Sequence, residues 1–228
     1  MKYLVFILLA VTCFGCKRSN NYTIVEAPVK ETKADSLSKF GIYASSQNDI
    51  KAIQIGRWAP DFKTTNASGD RMHLRQMLKD GPVVLVFYRG YWCSYCIKYL
   101  TAFEAELEKI KETNARIIAI APEIDANQVK TIEQTKADIM FISDPELKIM
   151  DLYDLAFKVT DQYNDKILKH KGESLEAING QEEAYLPIPA TYVIGTDGKV
   201  KWSHFDPNYK NRPDVEEILN VLKALRGN

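Results

Sequence analysis

Residues 82–88 read PVVLVFY, an unbroken run of β-branched and aromatic residues after a proline. Without alternation, neither face of such a strand is suited to water, so the run fits a central strand covered on both sides. The residues after it narrow the choice further. Beyond a short turn, CIKYLTAFEAELEKIKE (96–112) places Ile97, Leu100, Phe103, Leu107 and Ile110 at intervals of three and four. That is the spacing of an amphipathic helix, with Glu104, Glu106, Glu108 and the lysines on a solvated face. Two cysteines, Cys93 and Cys96, lie at the junction of strand and helix.

The same alternation continues along the chain. RMHLRQML (71–78) predicts a short strand running into a helical turn, before the buried run. ARIIAIAP (115–122) reads as a second buried strand ended by Pro122, and residues 125–137 as a polar helix. IMFISD (139–144) is a third strand, and PELKIMDLYDL (145–155) a helix with proline at its first turn. Residues 158–184 are rich in Lys, Gly, Asn and Glu and form an excursion with some local structure. ATYVIG and KVKWSHF are strands joined by TDG, a hairpin signal, and PDVEEILNVLKALR closes the chain as a helix. This order implies an α/β fold with a mixed central sheet flanked by helices. Neither an internal repeat nor a second domain is visible.

The first residues belong to a different class. Lys2 precedes the apolar run YLVFILLAV (3–11), which is too short to span a bilayer at about 20 residues. Residues 1–15 read as a signal peptide, and Gly15 before Cys16 resembles the lipobox of bacterial lipoproteins. The expectation is export, lipidation of Cys16 and a membrane-anchored envelope protein. Release after cleavage and an uncleaved anchor are the alternatives. Residues 16–53 then form a tether and N-terminal extension, with a helix or two over 36–54, and residues 54–228 form the domain. Lysines and arginines balance aspartates and glutamates at 30 each, so no global field favours nucleic acid, and no nucleic-acid motif is present.

The N-terminal reading simplifies the cysteines. Of the four, Cys13 leaves with the signal and Cys16 carries lipid, which leaves Cys93 and Cys96 in the domain, in an oxidising compartment. A zinc site needs two more ligands, and His73, His170 and His204 are scattered, so no metal is expected. A purely structural disulfide would close a tiny loop and restrain the unfolded chain little. A redox pair has a physical reason to sit here, because free N–H groups and the dipole at a helix start stabilise a thiolate. Cys93, at the first turn, is expected to be the exposed nucleophile. Cys96, one turn on, is placed to resolve the product. No cofactor is needed.

LPIPATYVI (186–194) supplies a second signal. Pro189 before a buried strand is a candidate cis proline, although a trans proline opening a strand fits the same residues. The set GRWAPDF, VVLVFYRGYWCSYC, LPIPATYVIGTDGKV and HFDPNYKNR resembles the thioredoxin superfamily. It is most similar to the peroxiredoxin-like branch, the alkyl hydroperoxide reductase and thiol-specific antioxidant group, over residues 54–226. The resemblance implies a thioredoxin-like fold and Cys93 as nucleophile with Cys96 resolving. It also implies Trp92 flanking the nucleophile, Ile188 presenting backbone to a thiol substrate, and Pro189 facing the cysteines.

The implied activity is a peroxidase regenerated by a thioredoxin-type donor. An envelope oxidoreductase acting on protein disulfides is the alternative. Peroxiredoxins carry Pro and Thr or Ser before the reactive cysteine. Counted from Cys93, those places hold Val86 and Gly90; counted from Cys96, they hold Arg89 and Cys93. Arg89 is either a cation stabilising the thiolate or a surface residue at a strand end.

Overall fold

The computed structural model describes residues 37–42, 51–66 and 68–226. The signal segment, Cys16 and the tether to residue 36 lie outside them. Within the described residues no helix is long and apolar enough to cross a membrane.

The core is a five-stranded sheet in the order β5-β4-β3-β8-β9. β3 (Val83–Phe87), β4 (Arg116–Ala121) and β5 (Met140–Ser143) run parallel. β8 (Ala190–Ile194) pairs antiparallel with β3, and β9 (Val200–Phe205) with β8. The mixed sheet is as expected, and so is the place of PVVLVFY: Val83 to Tyr88 are each 0% exposed, so both faces of the central strand are covered. In the β3–β8 register Phe87 stands opposite Ala190. The residues just after β3 and just before β8 therefore leave the sheet at the same edge.

α2 (Ser94–Ala105) follows β3 directly and buries Cys96, Tyr99, Leu100 and Phe103. Phe103 is fully buried, and truncating a Phe of this kind to Ala costs about 3–5 kcal/mol. The continuous helix expected to residue 112 is broken at Glu106, whose φ of −108° and ψ of 6° are not helical, and α3 (Leu107–Lys111) resumes after it. The break keeps Leu107 and Ile110 buried. α4 (Asp125–Thr135) is the polar helix, and it buries Asn127, Gln128, Thr131 and Thr135.

α5 (Lys148–Leu152) begins three residues later than the proline suggests. Leu147 takes the left-handed conformation, with φ of 60°, so the helix cannot start before it. Its free N–H groups are met by Asp144, whose carboxylate accepts from Ile149 (3.0 Å) and Met150 (2.9 Å). Burial raises the Asp144 pKa to about 6, against those hydrogen bonds.

RMHLRQML forms the expected short strand and helical turn, and the pairing of two short sheets goes beyond the pattern of the sequence. β1 (Lys63–Thr65) pairs with β2 (Arg71–His73), which leads into α1 (Leu74–Met77). β6 (Ala156–Lys158) pairs with β7 (Tyr185–Pro187) and closes the excursion at its base. Within it stand α6 (Asp161–Lys171) and α7 (Leu175–Asn179). The TDG hairpin forms as expected. Gly198 has φ of +77°, which the turn requires, and donates to the Gly195 carbonyl at 2.8 Å. α8 (Val215–Arg226) closes the domain against β8, β9 and α3. Of the helix or two expected over 36–54, residues 37–42 form one turn ending in a bridge from Ile42 to Val159; residues 51–54 are not helical.

Candidate active site

The chain leaves β3 at Phe87, makes a turn through Gly90, and enters α2 with Cys93 as the N-cap. Cys93 Sγ accepts a hydrogen bond from the Cys96 N–H at 3.3 Å, so the sulfur takes one of the helix's free donors. Cys93 and Cys96 are joined in a disulfide, with Cα atoms 5.2 Å apart.

The turn depends on Gly90. Its φ is +134°, and a Cβ there would lie 2.7 Å from Trp92 Nε1 and 3.1 Å from Glu123 Oε2. A threonine at this place is therefore excluded by space as well as by backbone. A proline at Val86 is excluded too, because Val86 pairs on both sides, with Ala119 and Thr191, in the middle of the sheet. Glu123, beyond the end of β4, holds the turn from below. Its buried carboxylate accepts from the Tyr91 N–H (2.8 Å), Tyr88 Oη (2.8 Å) and Thr131 Oγ1 (2.7 Å). Burial raises its pKa.

Arg89 is no surface residue: it is 4% exposed. Its Nη2 donates to Cys93 Sγ at 3.3 Å and its Nη1 to Tyr163 Oη at 2.5 Å. The guanidinium carbon lies 3.5 Å from the centroid of the Tyr209 ring and 4.8 Å from that of Trp92. Burial lowers the Arg89 pKa, and Tyr163 and Tyr209 act the other way. On the other sulfur, Arg212 Nη2 lies 3.4 Å from Cys96 Sγ.

Trp92, at 5% exposure, lines the same cavity as Cys93. Cys93 is buried rather than exposed, at 3%, but it reaches a cavity of about 230 Å³ lined by Arg89, Trp92, Tyr95, Tyr163 and Tyr209. A space of that size admits a peroxide or a cysteine side chain more readily than a bulky ligand. Cys96 is 0% exposed and is not in the cavity wall. A larger cavity of about 510 Å³ shares Tyr163, Lys166 and His170 with it but contains neither cysteine.

The Pro189 signal comes out differently. The described residues contain no cis peptide bond, so Pro189 is trans and simply precedes β8. Its carbonyl accepts from the Asp206 N–H at 3.3 Å, which ties it to the segment after β9. The Ile188 N–H donates to the Leu155 carbonyl at 2.8 Å, so it is not free to pair with a substrate backbone. Neither residue lines the Cys93 cavity.

Four neighbours escape a reading of the sequence alone: Glu123, Tyr163, Tyr209 and Arg212. Tyr209 and Arg212 lie inside HFDPNYKNR, one of the segments carrying the resemblance, and that is the one available signal. Tyr163 lies in the excursion, whose α6 is brought to the cavity; Glu173, between α6 and α7, accepts from Tyr91 Oη at 3.0 Å. Among the described residues no group of three or more His, Cys, Asp or Glu could hold a metal ion.

The pattern of the AhpC/TSA family matches residues 55–203. The chain belongs to the AhpC/TSA family. It is 22% identical over 173 residues to a Helicobacter pylori protein assigned as a peroxiredoxin, bcp, an alignment covering 76% of this chain and all of that one. It is 26% identical over 187 residues to the thiol-disulfide oxidoreductase ResA of Bacillus cereus, covering 82% of this chain and 87% of the relative. Among solved structures, the peroxidoxin BcpB of Mycobacterium tuberculosis matches with a TM-score of 0.59 at 22% identity, over 75% of this chain and 97% of that one. This AhpC/TSA chain is thus an oxidoreductase with a peroxiredoxin-like fold.

Proposed function

We propose that this oxidoreductase is a thiol-dependent peroxidase that cycles Cys93 and Cys96 between dithiol and disulfide. The observation that carries the reading is the setting of Cys93 Sγ. It lies at a helix start, at the floor of a small cavity, with the Arg89 guanidinium 3.3 Å away. A cation and a helix N-terminus favour the thiolate. The same guanidinium is placed to meet charge that develops on a peroxide oxygen.

In the first step the Cys93 thiolate attacks the terminal oxygen of a hydroperoxide. The O–O bond breaks, the alkoxide takes a proton and leaves as an alcohol, and Cys93 becomes a sulfenic acid. Cys96 then attacks that sulfur, the S–S bond forms and water leaves. A thioredoxin-type dithiol returns two electrons and two protons and is itself oxidised to a disulfide. No bound cofactor takes part.

A second reading has its own support. No hydroxyl stands near Cys93 in the place that orients a peroxide, because Gly90 occupies it. Tyr95, between the cysteines, is 43% exposed beside the cavity, as a docking face for a protein thiol would be. On this reading the pair exchanges with protein disulfides. Steady-state consumption of hydrogen peroxide and an alkyl hydroperoxide with a thioredoxin system separates the two. Turnover abolished by Cys93→Ser supports the peroxidase. Turnover no greater than free-thiol background, with insulin reduction retained, overturns it in favour of the exchange reaction.

We also propose that the chain is exported and anchored through lipid on Cys16, on the evidence of the apolar run and Gly15–Cys16. Acyl labelling lost in Cys16→Ser, and processing blocked by globomycin, are the expected results. Labelling unchanged in that variant rules the anchor out.

A further inference from the structure

We propose that Arg212 is a second catalytic residue, one that holds the electron pair collecting on Cys96 Sγ when the disulfide opens and makes the pair a stronger oxidant. The proposal rests on the dithiol reading above and does not depend on whether the oxidant is a peroxide or a disulfide.

The two sulfurs have separate guanidinium groups. Arg89 faces Cys93 Sγ at 3.3 Å, and Arg212 faces Cys96 Sγ at 3.4 Å. Arg212 comes from the segment between β9 and α8. Its Nε donates to the Tyr209 carbonyl at 3.2 Å and its guanidinium carbon lies 5.3 Å from the Tyr99 ring centroid. Tyr209 in turn covers Arg89. One loop therefore places a ring over the first arginine and supplies the second. Among the described residues no carboxylate pairs with either arginine. Burial lowers the Arg212 pKa to about 10, and Arg89 adds to the effect.

Cations withdrawn from water without counter-ions are costly, and here Arg89 is buried and Arg212 half-buried. In the disulfide state both arginines face neutral sulfur. In the reduced state each faces a sulfur able to carry negative charge. The cost is therefore relieved on reduction, which shifts the couple toward the dithiol.

Chemistry gives Arg212 a specific step. Cys96 is fully buried, so an external thiolate reaches Cys93 instead. Its attack on Cys93 Sγ forms a mixed disulfide, breaks the Cys93–Cys96 bond and leaves the electron pair on Cys96 Sγ. The donor's second thiolate then attacks its own sulfur in the mixed disulfide, and the pair released there stays on Cys93 Sγ, beside Arg89. The donor dithiol is oxidised as the protein disulfide is reduced. A thiol buried in apolar surroundings is a poor leaving group, and a cation beside it lowers its pKa and speeds its departure.

The test uses the purified full chain equilibrated with glutathione redox buffers, together with the rate of disulfide reduction by dithiothreitol. Arg212→Gln is expected to lower the equilibrium constant for reduction about tenfold, about 30 mV for a two-electron couple, and to slow reduction by a similar factor. Arg212→Lys restores most of both, because it keeps the charge. Lys210→Gln, which removes an exposed cation that touches no sulfur, leaves both unchanged. Arg212→Met keeps an apolar stem over Tyr99 and stands in where Arg212→Gln does not fold. Wild-type constants in a folded Arg212→Gln or Arg212→Met protein overturn the proposal. A wild-type disulfide that does not exchange with glutathione at all overturns the dithiol reading instead.

Discussion

Cys93 and Cys96 are three residues apart, share one helix start and are joined by a bond, yet their surroundings differ in kind. Cys93 lines a cavity with Trp92, Tyr95, Tyr163 and Tyr209 around it. Cys96 points into the packed side of α2 with Tyr99, Leu100 and Phe103. The difference follows from helix geometry: position 93 is the cap, outside the first turn, and position 96 is inside it, on the face that the sheet covers. Two chemically identical side chains thus differ in access to the cavity, while a guanidinium lies within 3.4 Å of each sulfur.

The largest effect is expected when each sulfur is removed in turn. Cys93→Ser is expected to abolish both attack and turnover. Cys96→Ser is expected to keep the first attack and stop there, trapping a sulfenic acid or mixed disulfide on Cys93 that mass spectrometry detects. A trapped adduct on Cys96 in Cys93→Ser would reverse the assignment. Next in size, Arg89→Met removes the donor beside Cys93 and should slow the first attack roughly 10²-fold, the usual loss for one such donor, as followed by stopped-flow fluorescence of Trp92.

A smaller effect is expected at the turn that separates the two cysteines from the sheet. Gly90→Ala forces a Cβ onto Trp92 Nε1 at a φ of +134° and should cost about 1–3 kcal/mol in denaturant unfolding. An unchanged midpoint would show that the turn relaxes at no cost. The smallest effect is expected at a residue that does not line the Cys93 cavity. Asp144 has a folded pKa of about 6, raised from an ordinary 3.8 by burial. The folded chain holds that proton more tightly than the unfolded one. The stability from this group is therefore full below about pH 4 and is lost as pH rises through about 6. Asp144→Asn should flatten stability over that window and leave exchange kinetics at Cys93 unchanged.

Much of the fold is legible in local pattern. PVVLVFY, ARIIAIA and ATYVI are strands because their apolar runs need cover on both faces, and the helix after Cys96 follows from its spacing. Patterns spanning one element say less about its ends. The break at Glu106 and the late start at Lys148 depend on backbone angles that periodicity does not carry. The trans state of Pro189 is likewise not carried by the local residues, which fit either isomer.

The candidate site divides along the same line. Cys93, Cys96 and Trp92 are contiguous with the strand–turn–helix unit, so the local sequence alone places them at a helix start beside one another. Arg89 stands in the same stretch but its burial is not legible there, since nothing within a few residues of it says whether solvent reaches that strand end. Tyr163, Tyr209, Arg212 and Glu123 lie 30 to 119 residues from Cys93 in the chain. They reach it because β4 lies beside β3, because β6 and β7 close the excursion over the cavity, and because β9 returns the chain to the edge where the cysteines sit. The dithiol itself was thus determined by sequence, through spacing and helix start. Which sulfur meets the cavity, and which cation meets each sulfur, was decided only by tertiary packing, because access and burial are properties of neighbours that the local chain does not contain.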